Sequence, residues 1–407
     1  MSDEIAGAGA GKGASGGDDL PQRFSLVAGG AFHGLLGRFG LLAPDGLPSR
    51  RAALGLGSVA FLIPAAAVVL QSLLDDQYSG WDYFEDATVY ARFLVSIIVM
   101  VSTERLADSR IILMTQHFRD AQLLKPAERV RFAGSVIRAD RQASSNRAEW
   151  LILLLAFAWS IVNTRFVTVV SVDSWEGAVR AGGKIGLSWA GEISAITSNA
   201  LFLFLLLRWF WRFFIWAALL WRTSKMDLQI MPLHPDRCGG LGFLAIFPGI
   251  FSGLIFALSC VIAASFHKAA SVLGDTEQII WLATAAWLVL IALIFFGPLL
   301  FFVRPLYAAR EFAMLEYGRL AHGHHLAFHR KWLGGGKGGE EIMGSADPSS
   351  ASDLNASVEI VYAMRSFPVD RAALVQLLVS AGIPMLVMAA LQMPLGDLMK
   401  LIFGFLL

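Results

Sequence analysis

The chain contains seven apolar runs that are each long enough to cross a lipid bilayer. A transmembrane helix needs about 20 consecutive, mostly apolar residues. The seven runs are Ala52–Leu74, Ala87–Leu106, Trp150–Val172, Gly191–Phe213, Leu244–Phe266, Ile279–Val303 and Ala372–Met393. Charged residues make up only 16% of the chain, against about 25% in soluble globular proteins. The sequence therefore predicts an all-α fold, a polytopic transmembrane helical bundle with cytoplasmic helical extensions.

The distribution of Lys and Arg among the connecting segments predicts the orientation of the bundle. The connection from Glu104 to Glu149 holds nine such residues and that from Arg304 to Arg371 holds eight. The connection from Asp75 to Asp86 holds none. Because cytoplasmic loops are enriched in Lys and Arg, we expect a multi-pass protein of a bacterial inner membrane with a cytoplasmic N-terminus and a periplasmic C-terminus.

These patterns divide the chain into five parts. In order, they are a disordered tail at 1–22, a cytoplasmic or interfacial segment at 23–51, a membrane bundle of six spans at 52–303 with a cytoplasmic helical loop at 104–149, a cytoplasmic helical loop at 304–371, and the last span with an interfacial C-terminal helix at 372–407. Within the two loops, we expect Glu104–Gln122 and Arg304–Leu333 to continue the second and sixth spans. Pro126 suits the first turn of a further helix.

A glycine-rich string between the fourth and fifth spans is the first candidate site. Glycines allow positive φ and close backbone approach, and free amides before a helix can hold an anion. The candidate ligand or anion site comprises His234, Asp236, Arg237, Gly239, Gly240, Gly242, Arg208 and Arg212. The alternative is a tight turn that packs under the bundle, with the His and Asp side chains capping it.

The same string carries a resemblance to other proteins. The run Pro235-Asp236-x-x-Gly239-Gly240-Leu241-Gly242-Phe243-Leu244 occurs together with Lys331-Trp332-Leu333, Gly344-Ser345-Ala346-Asp347 and Ser352-Asp353-Leu354. In these motifs the region from Met226 to the C-terminus resembles a group of bacterial multi-pass inner-membrane proteins with no assigned activity. The resemblance implies that the glycine-rich turn and the Gly-Ser-Ala-Asp loop occur together, and it implies no function.

Polar residues inside the predicted spans form the second candidate site. Asn163 and Arg165 lie in the third span and Asn199 in the fourth. Such residues are costly in lipid and by default indicate a functional site, although polar side chains also hold helices together. Arg208 and Arg212 lie beside several tryptophans, so we expect them at the headgroup level, with their charges reaching the interface.

Metal and cofactor sites are not predicted. His322, His325 and His329 share one helical face and are the candidate metal ligands, but no acidic or cysteine partner follows at ligand spacing. The alternative is a polar helical face. The two cysteines are predicted to be free thiols.

Composition and pattern favour two kinds of partner and exclude a third. A net charge of +1 argues against nucleic acid, so membrane lipids are the expected partners. Gly249 and Gly253 favour close helix contact within the bundle or between the subunits of a homo-oligomer.

Three functions remain open at this point. The first is a transporter or channel, based on the spans and their polar residues. The second is a non-catalytic membrane scaffold or sensor that works through its cytoplasmic helices. The third is a membrane-embedded enzyme acting on a phosphate-bearing lipid at the cytoplasmic leaflet. No catalytic residues are assigned, because no catalytic signature is present.

Overall fold

The computed structural model of the protein describes residues 24–76, 78–164, 174–179, 185–273, 277–334 and 344–392. Almost all of this part is helical. The helices are α1 Gly30–Arg38, α2 Arg50–Leu74, α3 Ala87–Val89, α4 Ile97–Ser102, α5 Glu104–Asp120, α6 Pro126–Ala143, α7 Asn146–Val162, α8 Trp189–Ser194, α9 Ala200–Ser224, α10 Phe247–Ile250, α11 Ser252–Leu273, α12 Glu277–Phe296, α13 Val303–Trp332, α14 Asp347–Tyr362 and α15 Arg371–Gln392. A short antiparallel hairpin pairs β1 Gly177–Val179 with β2 Ile185–Leu187.

The predicted fold class is confirmed. Within the described ranges, six helices are long and apolar enough to cross a membrane, and up to seven if the bent pair α6 and α7 counts as one span. The six are Arg50–Leu74, Ala87–Asp120, Trp189–Ser224, Ser252–Ala269, Gln278–Trp332 and Arg371–Leu391. The third predicted span corresponds to α7, and its last residues, 165–172, lie outside the described ranges.

Two of these helices continue far beyond a bilayer thickness. Ala87–Asp120 has 34 residues and Gln278–Trp332 has 55, the latter about 80 Å at 1.5 Å per residue. This confirms the predicted helical extensions at Glu104–Gln122 and Arg304–Leu333. We call the end of the bundle that carries residues 104–149 and 303–371 the basic end. The end that carries β1 and β2 is the hairpin end.

The fifth span begins later than the sequence predicts. Instead of one helix from Leu244, the chain forms a 3₁₀ turn at Gly242–Ile246, then α10, and starts α11 at Ser252. Gly249 lies against Gln376 and Gly253 against Thr103, so that a Cβ at either glycine would collide with those side chains. The predicted pair of small residues therefore brings helices together within one chain.

The segment before the first span packs against the helices. Residues 24–49, which we call the N-terminal segment, lie within the stretch predicted to be cytoplasmic or interfacial. Phe24 and Leu26 are buried in the core cluster, and Val27 is buried as well. The predicted tail at 1–22 and the predicted C-terminal helix at 394–407 lie outside the described residues.

Candidate functional site

Four charged side chains from three helices meet inside the basic end. Glu104 is the first residue of α5, Glu149 lies in the first turn of α7, and α9 supplies Arg208 and Arg212. Nη1 of each arginine donates to Oε1 of Glu104 at 2.8 Å, and Nε of Arg208 donates to Oε1 of Glu149 at 2.9 Å. Their exposed fractions are 1% for Glu104, 5% for Glu149 and 3% for each arginine. We call these four residues the buried charge network.

The buried charge network corrects the expectation that Arg208 and Arg212 reach the headgroups. Residues four apart lie on one face of a helix, and this face of α9 points into the bundle. Because an unpaired buried charge costs several kcal/mol, each arginine needs a carboxylate. Two positive and two negative charges balance within the network. Glu149 also lies at the N-terminus of α7, where a negative charge is favoured by the helix dipole.

The N-terminal segment closes the network from the basic end. The backbone N–H of Phe32 donates to Oε2 of Glu149 at 2.9 Å, and the guanidinium carbon of Arg208 lies 4.9 Å from the centre of the Phe32 ring. Gly30 has φ 87°, and a Cβ there would lie 2.5 Å from the Glu149 carboxyl carbon. A residue with a side chain at position 30 would therefore push the segment away from Glu149.

A second set of contacts holds the start of the same segment. The hydroxyl of Ser25 donates to Oδ1 of Asp108 at 2.6 Å. Nη2 of Arg212 donates to the carbonyl oxygen of Val27 at 3.4 Å. The N-terminal segment is thus bound both to the buried charge network and to the helix that follows Glu104.

One atom of the network is left without a partner. Oε2 of Glu104 is buried and accepts no hydrogen bond from any described residue. An unsatisfied charged oxygen of this kind costs free energy, and such groups call for an explanation such as a transient ion, proton or water. Glu104 is therefore the member of the network best placed to exchange partners.

The hairpin end carries a second group of charges. Oδ2 of Asp82 accepts from the backbone N–H of Trp175 at 2.6 Å, and Nζ of Lys268 donates to Oδ2 of Asp86 at 2.7 Å. Burial raises the pKa of Asp82, against the opposing hydrogen bond from Trp175. Burial also raises the pKa of Glu176, against the opposing charges of Arg92 and Lys268. This end therefore holds carboxyl groups that bind protons more readily than usual.

The glycine-rich turn is built around its own aspartate. Oδ1 of Asp236 accepts from the backbone N–H groups of Cys238 at 2.7 Å and Gly240 at 3.2 Å, and Oδ2 accepts from that of Gly242 at 2.7 Å. Positive φ at Arg237, Gly239 and Gly240 turns these amides inward. Burial acts to raise the pKa of Asp236, but these amides and His234 outweigh it and hold the pKa below its ordinary value.

These bonds correct the interpretation of the amides as free. The carboxylate of Asp236 occupies the position in which a bound anion would sit. The structure brings His234, Asp236, Arg237, Gly239, Gly240 and Gly242 into one turn, but it places Arg208 and Arg212 in the separate buried charge network. The capping alternative describes the turn better, with Nδ1 of His234 2.9 Å from Oδ1 of Asp236.

A cavity of about 310 Å³ lies beside the turn. His117, Gln229 and His234 contribute polar groups to its wall, and Phe243 packs 4.4 Å from the His117 ring, centre to centre. The cavity is open to solvent on the side of the exposed His117 and His234. It has room for a small ligand, but the carboxylate in its wall, that of Asp236, already accepts hydrogen bonds from the backbone.

Of the predicted intramembrane polar residues, Asn199 has a defined role. Its Nδ2 donates to Oγ of Ser160 at 2.8 Å, and that hydroxyl donates to the carbonyl oxygen of Ala195 at 2.6 Å. Asn199 ends a π-helical segment, Ala195–Asn199. Asn163 lies at the π-helical end of the third span, and Arg165 lies outside the described residues.

His325, from the predicted histidine face, and its neighbour His324 make hydrogen bonds to α14. Nε2 of His325 lies 2.9 Å from Oδ1 of Asn355, and Nε2 of His324 lies 3.4 Å from Oγ of Ser350. Across the described ranges, no three His, Cys, Asp or Glu side chains stand close enough to hold a metal ion.

The Lys331-Trp332-Leu333 and Gly344-Ser345-Ala346-Asp347 motifs close the hairpin of α13 and α14. Oδ2 of Asp347 lies 2.8 Å from Nζ of Lys331 and accepts from Nε1 of Trp332 at 3.1 Å. The hydrogen bond from Lys331 holds the pKa of Asp347 below its ordinary value. The glycine-rich turn contacts the other end of α14, where the backbone N–H of Arg365 donates to the carbonyl oxygen of Arg237 at 2.7 Å.

Comparison with known proteins adds no relative. Protein-family models, curated proteins and solved structures were compared with the chain, and none of them matches it.

Proposed function

We propose that this chain is a transporter- or channel-like protein of the bacterial inner membrane, with its basic end in the cytoplasm. The observation that carries the proposal is the buried charge network. Ionisable residues at membrane depth are rare, pair with one another and mark ion or substrate pathways. Here two arginines and two glutamates join the second, third and fourth spans, and one glutamate oxygen has no partner among the described residues.

The N-terminal segment supports a closed state of such a pathway. It covers the network through Phe32 and Gly30 and is held by Asp108. A gate needs an element with two arrangements whose free energies differ by a few kcal/mol. The N-terminal segment is the proposed element, since the hydrogen bonds of Phe32 to Glu149 and of Arg212 to Val27 join it to the network, and releasing it exposes the network to the cytoplasm.

Two π-helical segments support the pathway at the opposite half of the bundle. Tyr90–Ser96 and Ala195–Asn199 interrupt the second and fourth spans, and π-bulges are frequent at functional sites. Ser96 and Asn199 are buried there and bond across helices, Ser96 to the carbonyl oxygen of Ala257 at 2.9 Å. Asp82 and Glu176 at the hairpin end have raised pKa values and therefore bind protons more readily than usual. The proton is for this reason the first ion to test.

The test is ion flux through the purified protein in liposomes. A pH-sensitive dye inside the vesicles reports proton entry under an imposed membrane potential. Wild-type protein should carry protons faster than protein-free vesicles, and Glu104→Gln should change that rate. Glu316→Gln, which neutralises an exposed glutamate paired with Arg319, should not. The proposal fails if vesicles with wild-type protein and protein-free vesicles show the same proton flux and also the same chloride flux.

One observation favours a second function, a membrane scaffold or sensor. The hairpin of α13 and α14 extends from the bundle and exposes large apolar side chains, among them Phe312, Leu315 and Leu320. Such side chains on a long projecting helix suit a partner protein. A null result in the flux assay, with capture of one defined partner by the hairpin, would favour this function.

A further inference from the structure

The short helix α1 buries one face and exposes an apolar face beside it. On the inner face, Leu36 is buried, and the Phe32 ring packs edge-on against the Phe204 ring, 5.3 Å centre to centre. On the outer face, Leu35 is 47% exposed, and Phe39, directly after the helix, is 71% exposed. The backbone N–H of Phe39 donates to the carbonyl oxygen of Leu35 at 3.2 Å. These two residues therefore lie one turn apart on the same side.

Two contacts place α1 at the level where the spans enter the bilayer. The backbone N–H of Phe32 donates to Oε2 of Glu149 at 2.9 Å, at the start of the third span. After the helix, Oδ2 of Asp45 lies 3.1 Å from Nε of Arg105 in the second span. Arg105 lies about 27 Å along its helix from Ala87, where that span begins, and the hydrocarbon core is about 30 Å thick. The helix therefore lies near the hydrocarbon boundary at the basic end.

The same part of the chain carries arginines that have no acid beside them. Arg38 lies in the last turn of α1, and Arg50 and Arg51 begin the first span. All three are exposed. The backbone N–H of Ser49 donates to the carbonyl oxygen of Leu41 at 2.9 Å, which holds the end of α1 close to the start of that span. The one acid of the N-terminal segment is already paired with the second span. Because the helix dipole disfavours cations in a first turn, an external anion would stabilise this end.

We propose that α1 is an interfacial helix that binds an anionic lipid leaflet. Leu35 and Phe39 insert among the acyl chains. Arg38, Arg50 and Arg51 bind the phosphate groups of the headgroups, whose oxygens match the guanidinium fork. Helices that lie in the plane of a membrane combine basic residues with Leu, Phe or Trp, and an anionic surface attracts basic residues near it. The leaflet is the occupant of the apolar face, because that face lies at the hydrocarbon boundary and is bordered by arginines. This contact is independent of the proposed transport function.

The test is photo-cross-linking of the full-length protein in vesicles of equal amounts of phosphatidylglycerol and phosphatidylcholine. Benzoylphenylalanine is introduced in place of the exposed Phe39, and mass spectrometry identifies the products. We expect products with lipid, in which phosphatidylglycerol exceeds phosphatidylcholine. An attraction of about 1 kcal/mol from one basic residue corresponds to an enrichment of about fivefold.

A control position tests whether any exposed apolar residue gives the same products. Benzoylphenylalanine in place of Val130, which is exposed in the first half of α6, should give no product with lipid. Leu124, just before α6, pairs with Leu228 after the end of α9. Since α9 continues from Arg212 to Ser224, about 18 Å, this part of α6 lies beyond the bilayer.

A pair of charge variants tests the headgroup contact. Arg38→Gln/Arg51→Gln should bring the lipid ratio in the products close to that of the vesicle, while Phe39 still reaches lipid. The matched control Arg129→Gln/Arg330→Gln removes exposed arginines from α6 and α13 and should leave the ratio unchanged. Because all four side chains are exposed, both variants should fold.

Three results would overturn the proposal. Products only within the chain or with a second copy of it, or no products, would mean that the apolar face does not contact lipid. A lipid ratio equal to that of the vesicle in the wild type would exclude binding to anionic headgroups. An equal change of the ratio in the two charge variants would indicate general attraction to a basic protein.

Discussion

Neutralising Glu104 is the perturbation that tests the buried charge network most sharply. Glu104→Gln removes the carboxylate that Arg208 and Arg212 share, at 2.8 Å from Nη1 of each. Arg208 keeps Glu149, but Arg212 keeps no carboxylate among the described residues. Removing one partner of a buried ion pair costs about 3–5 kcal/mol, because the other charge stays buried. We therefore expect a large loss of stability.

The assay is a double-mutant cycle on the purified protein in detergent, read by thermal unfolding. Arg212→Gln alone leaves a net negative charge in the network. The combined variant Glu104→Gln/Arg212→Gln restores balance, with Arg208 facing Glu149. Its loss should therefore be smaller than the sum of the two single losses, by a coupling of about 0.5–3 kcal/mol.

A matched control separates this effect from simple neutralisation. Glu316 pairs with Arg319 on the surface, with side chains 44% and 79% exposed, and such pairs contribute about 0–1 kcal/mol. One contradicting result is an unfolding temperature of Glu104→Gln that is no lower than that of Glu316→Gln. Another is a double variant whose loss of stability equals the sum of the two single losses. Either result would mean that the ion pairs of the network do not stabilise the protein.

Three further predictions concern the turn, the hairpin end and the topology. Asp236→Asn should destabilise the protein by about 1–3 kcal/mol in thermal unfolding, because an amide NH₂ cannot accept from the N–H of Gly242. Glu176→Gln should raise the unfolding temperature at neutral pH, since the raised pKa means that folding disfavours the ionised carboxylate. That gain should shrink as the pH falls through the raised pKa and vanish below the ordinary value of about 4.3. A reporter fused after Gln278 should be periplasmic, and one inserted within Gly334–Gly339 cytoplasmic.

Each of these has a contradicting outcome. A fully stable Asp236→Asn that loses only cellular activity would return the turn to the ligand-binding hypothesis. A gain for Glu176→Gln that persists unchanged in acid would have a cause other than ionisation. Two reporters on the same side would exclude the proposed arrangement of spans.

The sequence predicts the helices better than their contacts. Apolar runs near 20 residues locate the spans, and Pro126 marks the start of α6, because these signals are local. The break of the fifth span at Phe251 was missed, since a 3₁₀ turn, the short helix α10 and the long helix α11 together have the composition of one long helix. The burial of Phe24, Leu26 and Val27 could not be predicted either, because these residues show no helical period.

The candidate site shows the same limit. The sequence singled out Arg208 and Arg212, but it could not show that Glu104 and Glu149, at the boundaries of a basic loop, face them. Because the end of this span is rich in tryptophan, the sequence fits arginines that reach the headgroups as well as it fits arginines that are buried. The signal that could have found these partners is the balance of two acids, Glu104 and Glu149, against two bases at matching depths in neighbouring spans. The sequence left open whether Asp236 caps the turn or binds a ligand. Only the three hydrogen bonds that it accepts from backbone N–H groups favour the capping role.

In the proposed function, the N-terminal segment closes a pathway at the buried charge network. The most direct measurement compares proton flux through wild type, Gly30→Ala and Gly34→Ala in liposomes. Gly30 has φ 87° and contacts Glu149, whereas Gly34 has open space around it. Gly30→Ala should raise the proton flux by displacing the segment, while Gly34→Ala should leave the flux unchanged. Equal flux in all three proteins would contradict it.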